Sequence, residues 1–389
     1  MDANTDKPIV GLVMGGGGAR AAYQVGVLKA IAEMLPDGCP NPFPVLCGTS
    51  AGAINATALA IYARRFHTGV RRLNYVWRNF EVNQVYRADG RGLVANGLRW
   101  LGALLLGGLG RRNPRALLDR APLRELLEAR LPCREIQASI DAGALRALSI
   151  TCSGYNSGQS VSFYQGVDTL APWKRARRVG AAASITLDHL MASSAIPFVF
   201  AAEPINREYF GDGSMRQVAP ISPALHLGAE RVLIIGVRHE APPASVRPPA
   251  PEYPSLAQIA GHVLNSIFLD SLEADIERLQ RINKTVSLIP SEYLQEHGVT
   301  LRKVDVLVIS PSEDLEKIAA RYVECLPRAV RWLLRGLGAY NRSGSNLVSY
   351  LLFEKPYCRA LIALGYADAM VRRREILDFL SAPDAAVRR

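Results

Sequence analysis

Two apolar runs within the first fifty residues each end in a cluster of glycines, and each is followed by a helical pattern. Ile9-Val10-Gly11-Leu12-Val13-Met14 runs into Gly15-Gly16-Gly17-Gly18, then into a helix expected from about Arg20 to Leu35 and closed by Pro36-Asp37-Gly38. After a proline-containing loop, the run from Phe43 to Cys47 leads into Gly48-Thr49-Ser50-Ala51-Gly52 and a small-residue helical stretch beginning Ala53-Ile54-Asn55-Ala56. Short, uniformly apolar strands are those buried on both faces. Two of them joined through a helix form a βαβ unit, which implies a mostly parallel sheet covered on both sides. The expected fold is therefore α/β, three layers with a central mostly parallel sheet, plus a helical C-terminal region.

Further along, residues 145–153 and 159–165 read as a strand pair around the turn Tyr155-Asn156-Ser157-Gly158. Residues 175–194 read as helical with a break. Residues 209–214 read as a strand ending in Asp212, which has Gly211 and Gly213 on either side. Residues 231–237 and 303–310 complete the expected strands, and residues 241–254 are a proline-rich linker. Residues 61–140 and 256–282 read as helical. The chemistry-bearing motifs span residues 9–225, the sheet is expected to continue to about residue 312, and residues 313–389 form the helical C-terminal region.

Composition limits the function classes. An apolar content of 49% with 21% charged residues describes a globular chain rather than a disordered one. The formal charge of +11 is concentrated: residues 64–134 hold fifteen arginines and no lysine against five acids. Such a stretch attracts phosphates, of nucleic acid or of anionic lipid, or simply coats solvated helix faces. Six cysteines show neither C-x-x-C nor histidine at zinc spacing, so they read as reduced, and no metal or cofactor is expected. The polar start, Met1 to Pro8, lacks the pattern of a signal peptide, and the longest apolar stretch, residues 100–110, is too short to cross a bilayer. The expected place is the cytoplasm, peripherally at a membrane surface.

The glycine run turns successive backbone N–H groups into the space at the positive end of a helix, where an anion belongs. The pattern G-x-S-x-G holds a serine, here Ser50, on a tight strand-to-helix turn with its hydroxyl at the end of a sheet. A histidine partner in the order Ser, acid, His would be His226, His239, His262 or His297, none in a persuasive setting. Gly16-x-Gly18-x-x-Ala21 also fits a loose dinucleotide fingerprint, but the acid this requires at the end of the second strand is missing, since Asp37 lies in a turn.

On these residues the chain resembles the patatin-like phospholipase family. Gly16-Gly17-Gly18-Ala19-Arg20 matches the family's glycine-rich segment, Gly48 to Gly52 its elbow and Asp212-Gly213 its acidic block, while Ala192-Ser193-Ser194-Ala195-Ile196-Pro197 resembles a segment found between them. Ala21 and Ser214 depart from its usual glycine or alanine, and both are small. The resemblance implies a Ser50/Asp212 dyad, with Asp212 as base, made more basic by burial beside Phe210. It implies an oxyanion hole from Gly16, Gly17 and Gly18, with Gly48, Gly52 and Gly213 shaping the loops. The substrate implied is a lipid ester, of the phospholipase A or lysophospholipase type, without nucleic acid; the alternative is a lipid- or protein-binding module that keeps the fold. Arg20 is expected either to contact a substrate phosphate or to make a structural salt bridge. Contact with anionic membrane is expected through the segment bounded by Arg91 and Arg112, with residues 327–335 as a second candidate.

Overall fold

A computed structural model describes residues 8–87, 116–239, 256–267, 271–297, 301–336 and 345–381. β1 (Val10–Met14), a 3-10 turn (Gly18–Ala21) and α1 (Ala22–Met34) lead to β2 (Val45–Thr49), α2 (Ala51–Ile61) and α3 (Phe66–Arg78). α4 (Ala121–Arg130) and α5 (Arg134–Asp141) precede β3 (Ala147–Gly154), β4 (Ser160–Gly166), β5 (Trp173–Arg175) and β6 (Arg178–Ala182). Then come α6 (Leu187–Ser193), β7 (Glu203–Ile205), β8 (Glu208–Asp212), α7 (Ser222–His226) and β9 (Arg231–Ile235). α8 (Leu256–Asn265), α9 (Ser271–Val286) and α10 (Ser291–Glu296) lead to β10 (Asp305–Ile309). The rest is helical: α11 (Leu315–Tyr322), α12 (Arg328–Gly336), α13 (Ser345–Leu351), α14 (Lys355–Val371) and α15 (Arg373–Ser381).

These strands form one sheet in the order β10-β9-β1-β2-β3-β4-β6-β5, with β8 also on β3 and β7 on β8. From β10 to β3 every pairing is parallel, as the βαβ reading requires. Beyond β3 the pairings with β4 and β8 are antiparallel, so the whole sheet is mixed. β1, β2 and β9 are buried along their whole length, and their alternate side chains enter two cores. Leu12, Met14 and Leu46 pack with α1, α2, α3 and α14. Val13, Val45 and Cys47 pack on the other face with residues of α7 and α9. That division gives the three layers.

Residues 175–182 correct the expectation of helix. They form the hairpin of β5 and β6, turning at Arg177 with φ 56°, and β6 adds in parallel to β4. The free edge of β4 offers backbone partners that a short segment containing Gly180 satisfies better than an isolated helical turn. The second half of that stretch is helical, as α6. The proline-rich residues 241–254 and the apolar residues 100–110 lie outside the described residues.

The C-terminal helices pack directly on the sheet's helical layer. α14 buries Tyr357, Leu361 and Ile362 in the same core as Leu12. It crosses α1 at two glycines: a Cβ on Gly26 would enter the Ile362 carbonyl, and one on Gly365 the Tyr23 carbonyl. The Tyr23 hydroxyl donates to Asp368 Oδ2 at 2.9 Å beside this crossing. Gly365→Val should therefore force the helices apart and cost about 1–3 kcal/mol or more. Gly336→Ala, where nothing lies within 4 Å of an added methyl, should change stability by less than about 0.5 kcal/mol. Denaturant midpoints of the two variants check this, and equal midpoints would contradict the close crossing.

Candidate functional site

β2 ends at Thr49, and Ser50 turns the chain into α2 with φ 55° and ψ −127°, a conformation rare and strained for a residue with a side chain. The flanking glycines answer to crowding. A Cβ on Gly52 would run into the Met14 carbonyl on β1, and one on Gly48 into the backbone of Gly52 and Ala53. Ser50 is 2% exposed, and its side chain makes no cap bond to α2, leaving the hydroxyl free of the helix. Its backbone N–H donates to Ser193 Oγ at 2.9 Å, and Ser193 Oγ donates to the Thr151 carbonyl at 2.7 Å.

Asp212 is brought to Ser50 by β3, the strand between them. Thr49 on β2 lies opposite Thr151, and Asp212 on β8 lies opposite Cys152. The Asp212 N–H donates to the Ala195 carbonyl at 3.0 Å, so one short segment, Ser193 to Ala195, is bonded to both residues. Gly213 leaves no room for a side chain against the Thr151 carbonyl. Asp212 is fully buried. Its Oδ1 accepts from the Ser214 N–H at 3.0 Å, while Oδ2 lacks a partner of full hydrogen-bond geometry. Burial pushes its pKa from the ordinary 3.8 up to about 6; the Ser50 hydroxyl, then Ser214 and the Arg120 charge, favour the ionised form and limit the rise.

Arg120 was legible in the sequence only as part of the arginine-rich stretch. It is buried, with Nη2 donating to Glu203 Oε1 and the Ala201 carbonyl, each at 2.8 Å, and Nη1 to the Met191 carbonyl. Burial brings its own pKa down to about 10.

The glycine loop after β1 is held by a buried polar chain that sequence reasoning missed. Trp77 Nε1 donates to Asn55 Oδ1 at 2.8 Å, Asn55 Nδ2 to Gln24 Oε1 at 2.9 Å, and Gln24 Nε2 to the Gly15 carbonyl at 2.9 Å. The signal for it was a polar residue, Gln24 or Asn55, in the apolar first turns of each of two helices. Gly18, Ser50 and Ala51 line a cavity of about 360 Å³, within the range of small-molecule sites. Its walls are mostly apolar residues of α2, α3 and α4, and Ala51, Ile54 and Ala58 on α2 with Tyr62 just past its end form a stripe. Gly16 lines a different recess, of about 30 Å³, with Gly15, Val237 and Ser310.

Of the two roles expected for Arg20, the structure shows the salt bridge, to Glu316: the residue is 2% exposed, and its guanidinium is taken up by protein partners. Among the described residues no histidine lines the cavity. His189 closes a capping box with Thr186, His226 stacks on Trp173, and His239 Nδ1 meets the Pro311 carbonyl. Nor do the described residues hold a His/Cys/Asp/Glu group fit for a metal, and none of their helices is long and apolar enough to cross a membrane.

The patatin-like phospholipase domain matches residues 12–225. The lysophospholipase nte1 of Aspergillus terreus is 51% identical over 55 residues, which are 14% of this chain and 3% of that much longer protein. Among solved structures, VipD from Legionella pneumophila aligns over 95% of this chain and 67% of its own, at 10% identity and a TM-score of 0.38. The ExoU–SpcU complex of the type III secretion system of Pseudomonas aeruginosa aligns over 98% and 73%, at 16% identity and a TM-score of 0.25. Matched over more than half of its length, the chain belongs to the patatin-like phospholipase family, a family of lipid hydrolases.

Proposed function

We propose that the protein is a serine acyl hydrolase of lipid esters, of the phospholipase A or lysophospholipase type, with Ser50 as nucleophile and Asp212 as its base. The observation that carries this reading is a strained serine at the wall of an apolar cavity with its hydroxyl beside a buried carboxylate. Asp212, with a pKa near 6, is ionised at neutral pH and a better base than an exposed aspartate. As Ser50 Oγ attacks the ester carbonyl, its proton passes to Asp212, and the tetrahedral oxyanion is received by N–H groups of Gly17, Gly18 and Ala51 at the positive end of α2. The proton leaves with the alcohol. Asp212 then deprotonates a water that attacks the acyl-enzyme, releasing the fatty acid and restoring Ser50. The acyl chain lies in the cavity along α2, each buried methylene contributing about 0.8 kcal/mol.

Approach to a bilayer is proposed on the described surface of α12. Val330 and Leu334 are buried there, while Trp332 is 72% exposed on a face shared with Arg328 and Arg335. Tryptophan with arginines is the composition of an interfacial contact. A binding module that merely keeps the fold would have no need of an uncapped, strained serine.

Ser50→Ala should abolish both hydrolysis and labelling by a fluorophosphonate; turnover surviving in it would reject the mechanism. Asp212→Asn should lower kcat by about 10²–10⁴-fold. In the parent, kcat/KM should climb with pH and level off above about 6, because only ionised Asp212 accepts the proton.

The same carboxylate gives a stability test. Its folded pKa lies above the unfolded value, so its cost is absent below about pH 4 and complete above about pH 6, at about 3 kcal/mol. Asp212→Asn should therefore melt higher than the parent at pH 7.5 and lose that advantage at pH 4.

Ala58 lies eight residues from Ser50, about 12 Å along α2 at 1.5 Å per residue. Ala58→Phe should spare butyrate esters and reduce kcat/KM for palmitate esters at least tenfold. An unchanged chain-length profile would place the acyl group elsewhere.

A further inference from the structure

Arg20 belongs to the 3-10 turn that begins at Gly18, next to the nucleophile, yet all its side-chain partners come from helices near the other end of the chain. Nε donates to Ser349 Oγ at 2.8 Å; Nη2 donates to Asn346 Oδ1 at 2.7 Å and pairs with Glu316 Oε1 at 3.2 Å. The guanidinium also lies 4.2 Å over the Tyr350 ring. Ser349, Asn346 and Tyr350 are on α13, and Glu316 is on α11.

The receptor for this cation is itself cross-bonded. Ser349 Oγ donates to the Asn346 carbonyl at 2.6 Å, and Asn346 Nδ2 to the Gly261 carbonyl on α8 at 3.1 Å. Asn265, also on α8, donates to Glu316 Oε1 at 3.2 Å and accepts from the Tyr350 hydroxyl at 2.8 Å. Two helices, braced by a third, thus present one fixed set of partners to a single arginine.

The backbone makes a second attachment at the same place. Gly18 has φ +54°, and a Cβ on it would enter the Tyr350 carbonyl, so the glycine loop lies directly on α13. The Arg20 N–H donates to the Gly17 carbonyl at 3.1 Å, which ties the side chain's anchorage to the residues whose N–H groups are assigned to the oxyanion. From α1, Gln24 holds the Gly15 carbonyl.

We infer that Arg20 is a positioning residue, and that α11 and α13 act through it to hold the glycine loop where its N–H groups meet the oxyanion. The inference rests on the acyl-hydrolase reading. Through Arg20, α11 and α13 then govern the rate of acyl transfer and not the binding of substrate, since none of Arg20, Glu316, Asn346 and Ser349 lines the cavity. Small displacements suffice, because misplacing a catalytic group by about 1 Å costs about 10²-fold in rate.

The test uses the full chain with p-nitrophenyl butyrate, comparing Arg20→Lys, Arg20→Met, Glu316→Gln and Asn346→Ala with the parent and with Ser50→Ala. Glu316→Gln and Asn346→Ala should lower kcat about 10- to 100-fold, slow fluorophosphonate labelling in parallel, and leave KM within about twofold. Arg20→Lys, which keeps the charge but not the fork, should fall between the parent and Arg20→Met. Arg20→Lys combined with Asn346→Ala should lose less than the product of the single losses, because the two act through one contact. An unchanged kcat in folded Glu316→Gln and Asn346→Ala overturns the inference, as does a loss confined to KM. Should Arg20→Met fail to fold, those two variants decide alone, Glu316 being partly exposed and less costly to alter. Hydrolysis that persists in Ser50→Ala rejects the underlying hydrolase reading instead, so the two failures are distinct.

Discussion

β3 hydrogen-bonds to β2, β4 and β8, and that sharing sets the separation of Ser50 from Asp212. The strand is buried over all eight of its residues, so its register cannot slip without moving every side chain to the wrong face. Its central residues are small and polar enough to be cross-linked. Thr151 accepts from Gln217 Nε2 at 3.2 Å, Gln217 accepts from the Thr49 hydroxyl at 2.7 Å, and the Thr151 carbonyl receives Ser193. The ends of β2 and β8 are therefore bonded to β3 and to each other through the chain Ser193 to Ala195. Neither Ser50 nor Asp212 carries a flexible loop between itself and the sheet.

Such rigidity is what permits two unfavourable features to persist side by side. A side chain at φ 55° costs of order 1–3 kcal/mol, and a buried carboxyl with one oxygen lacking a well-aligned partner costs a comparable amount. Relaxing either would require β2 or β8 to leave β3. The glycine loop is stabilised differently, by polar clamps from both sides: Gln24, Asn55 and Trp77 from the helical layer, and the C-terminal helices through Arg20. Those clamps are buried and largely satisfied, which makes them strong and also dependent on every member being present.

Local chemistry was readable from the sequence where local sterics decide the outcome. The elbow glycines are required by backbone within a few residues or on the neighbouring strand, and a glycine-flanked Asp212 at a strand end signals a tight approach. The parallel half of the sheet was readable because strands buried on both faces are apolar throughout. What was not readable depends on partners far away in sequence. Arg20 and Asn346 are 326 residues apart, and nothing near position 20 announces the partner. β6 is a strand because β4 offers an edge, not because its residues favour extension. Gln24 and Asn55 fill positions where a helical pattern alone predicts apolar side chains.

The arginine-rich stretch shows the same division, with a consequence for how substrate is met. Read as sequence, residues 64–134 form one basic block; folded, the block separates into groups of different availability. Arg120 is internal, and Arg64, Arg87 and Arg124 are paired with Glu135, Asp119 and the Asp188/Glu203 pair. Arg71, Arg72 and Arg130 are exposed, line the cavity, and among the described residues form no ion pair. Arg72 donates to the Tyr62 hydroxyl at 2.6 Å, which fixes that cation near the C-terminal end of α2. Twelve residues separate Tyr62 from Ser50, about 18 Å along the helix. On the proposed reading the ester carbonyl sits at Ser50 and the acyl tail runs toward Tyr62, so these arginines are too distant to read the head group of the molecule being cleaved. On the same proposal their positive field would act instead on an anionic surface from which that molecule is drawn, an attraction that weakens as salt screens it.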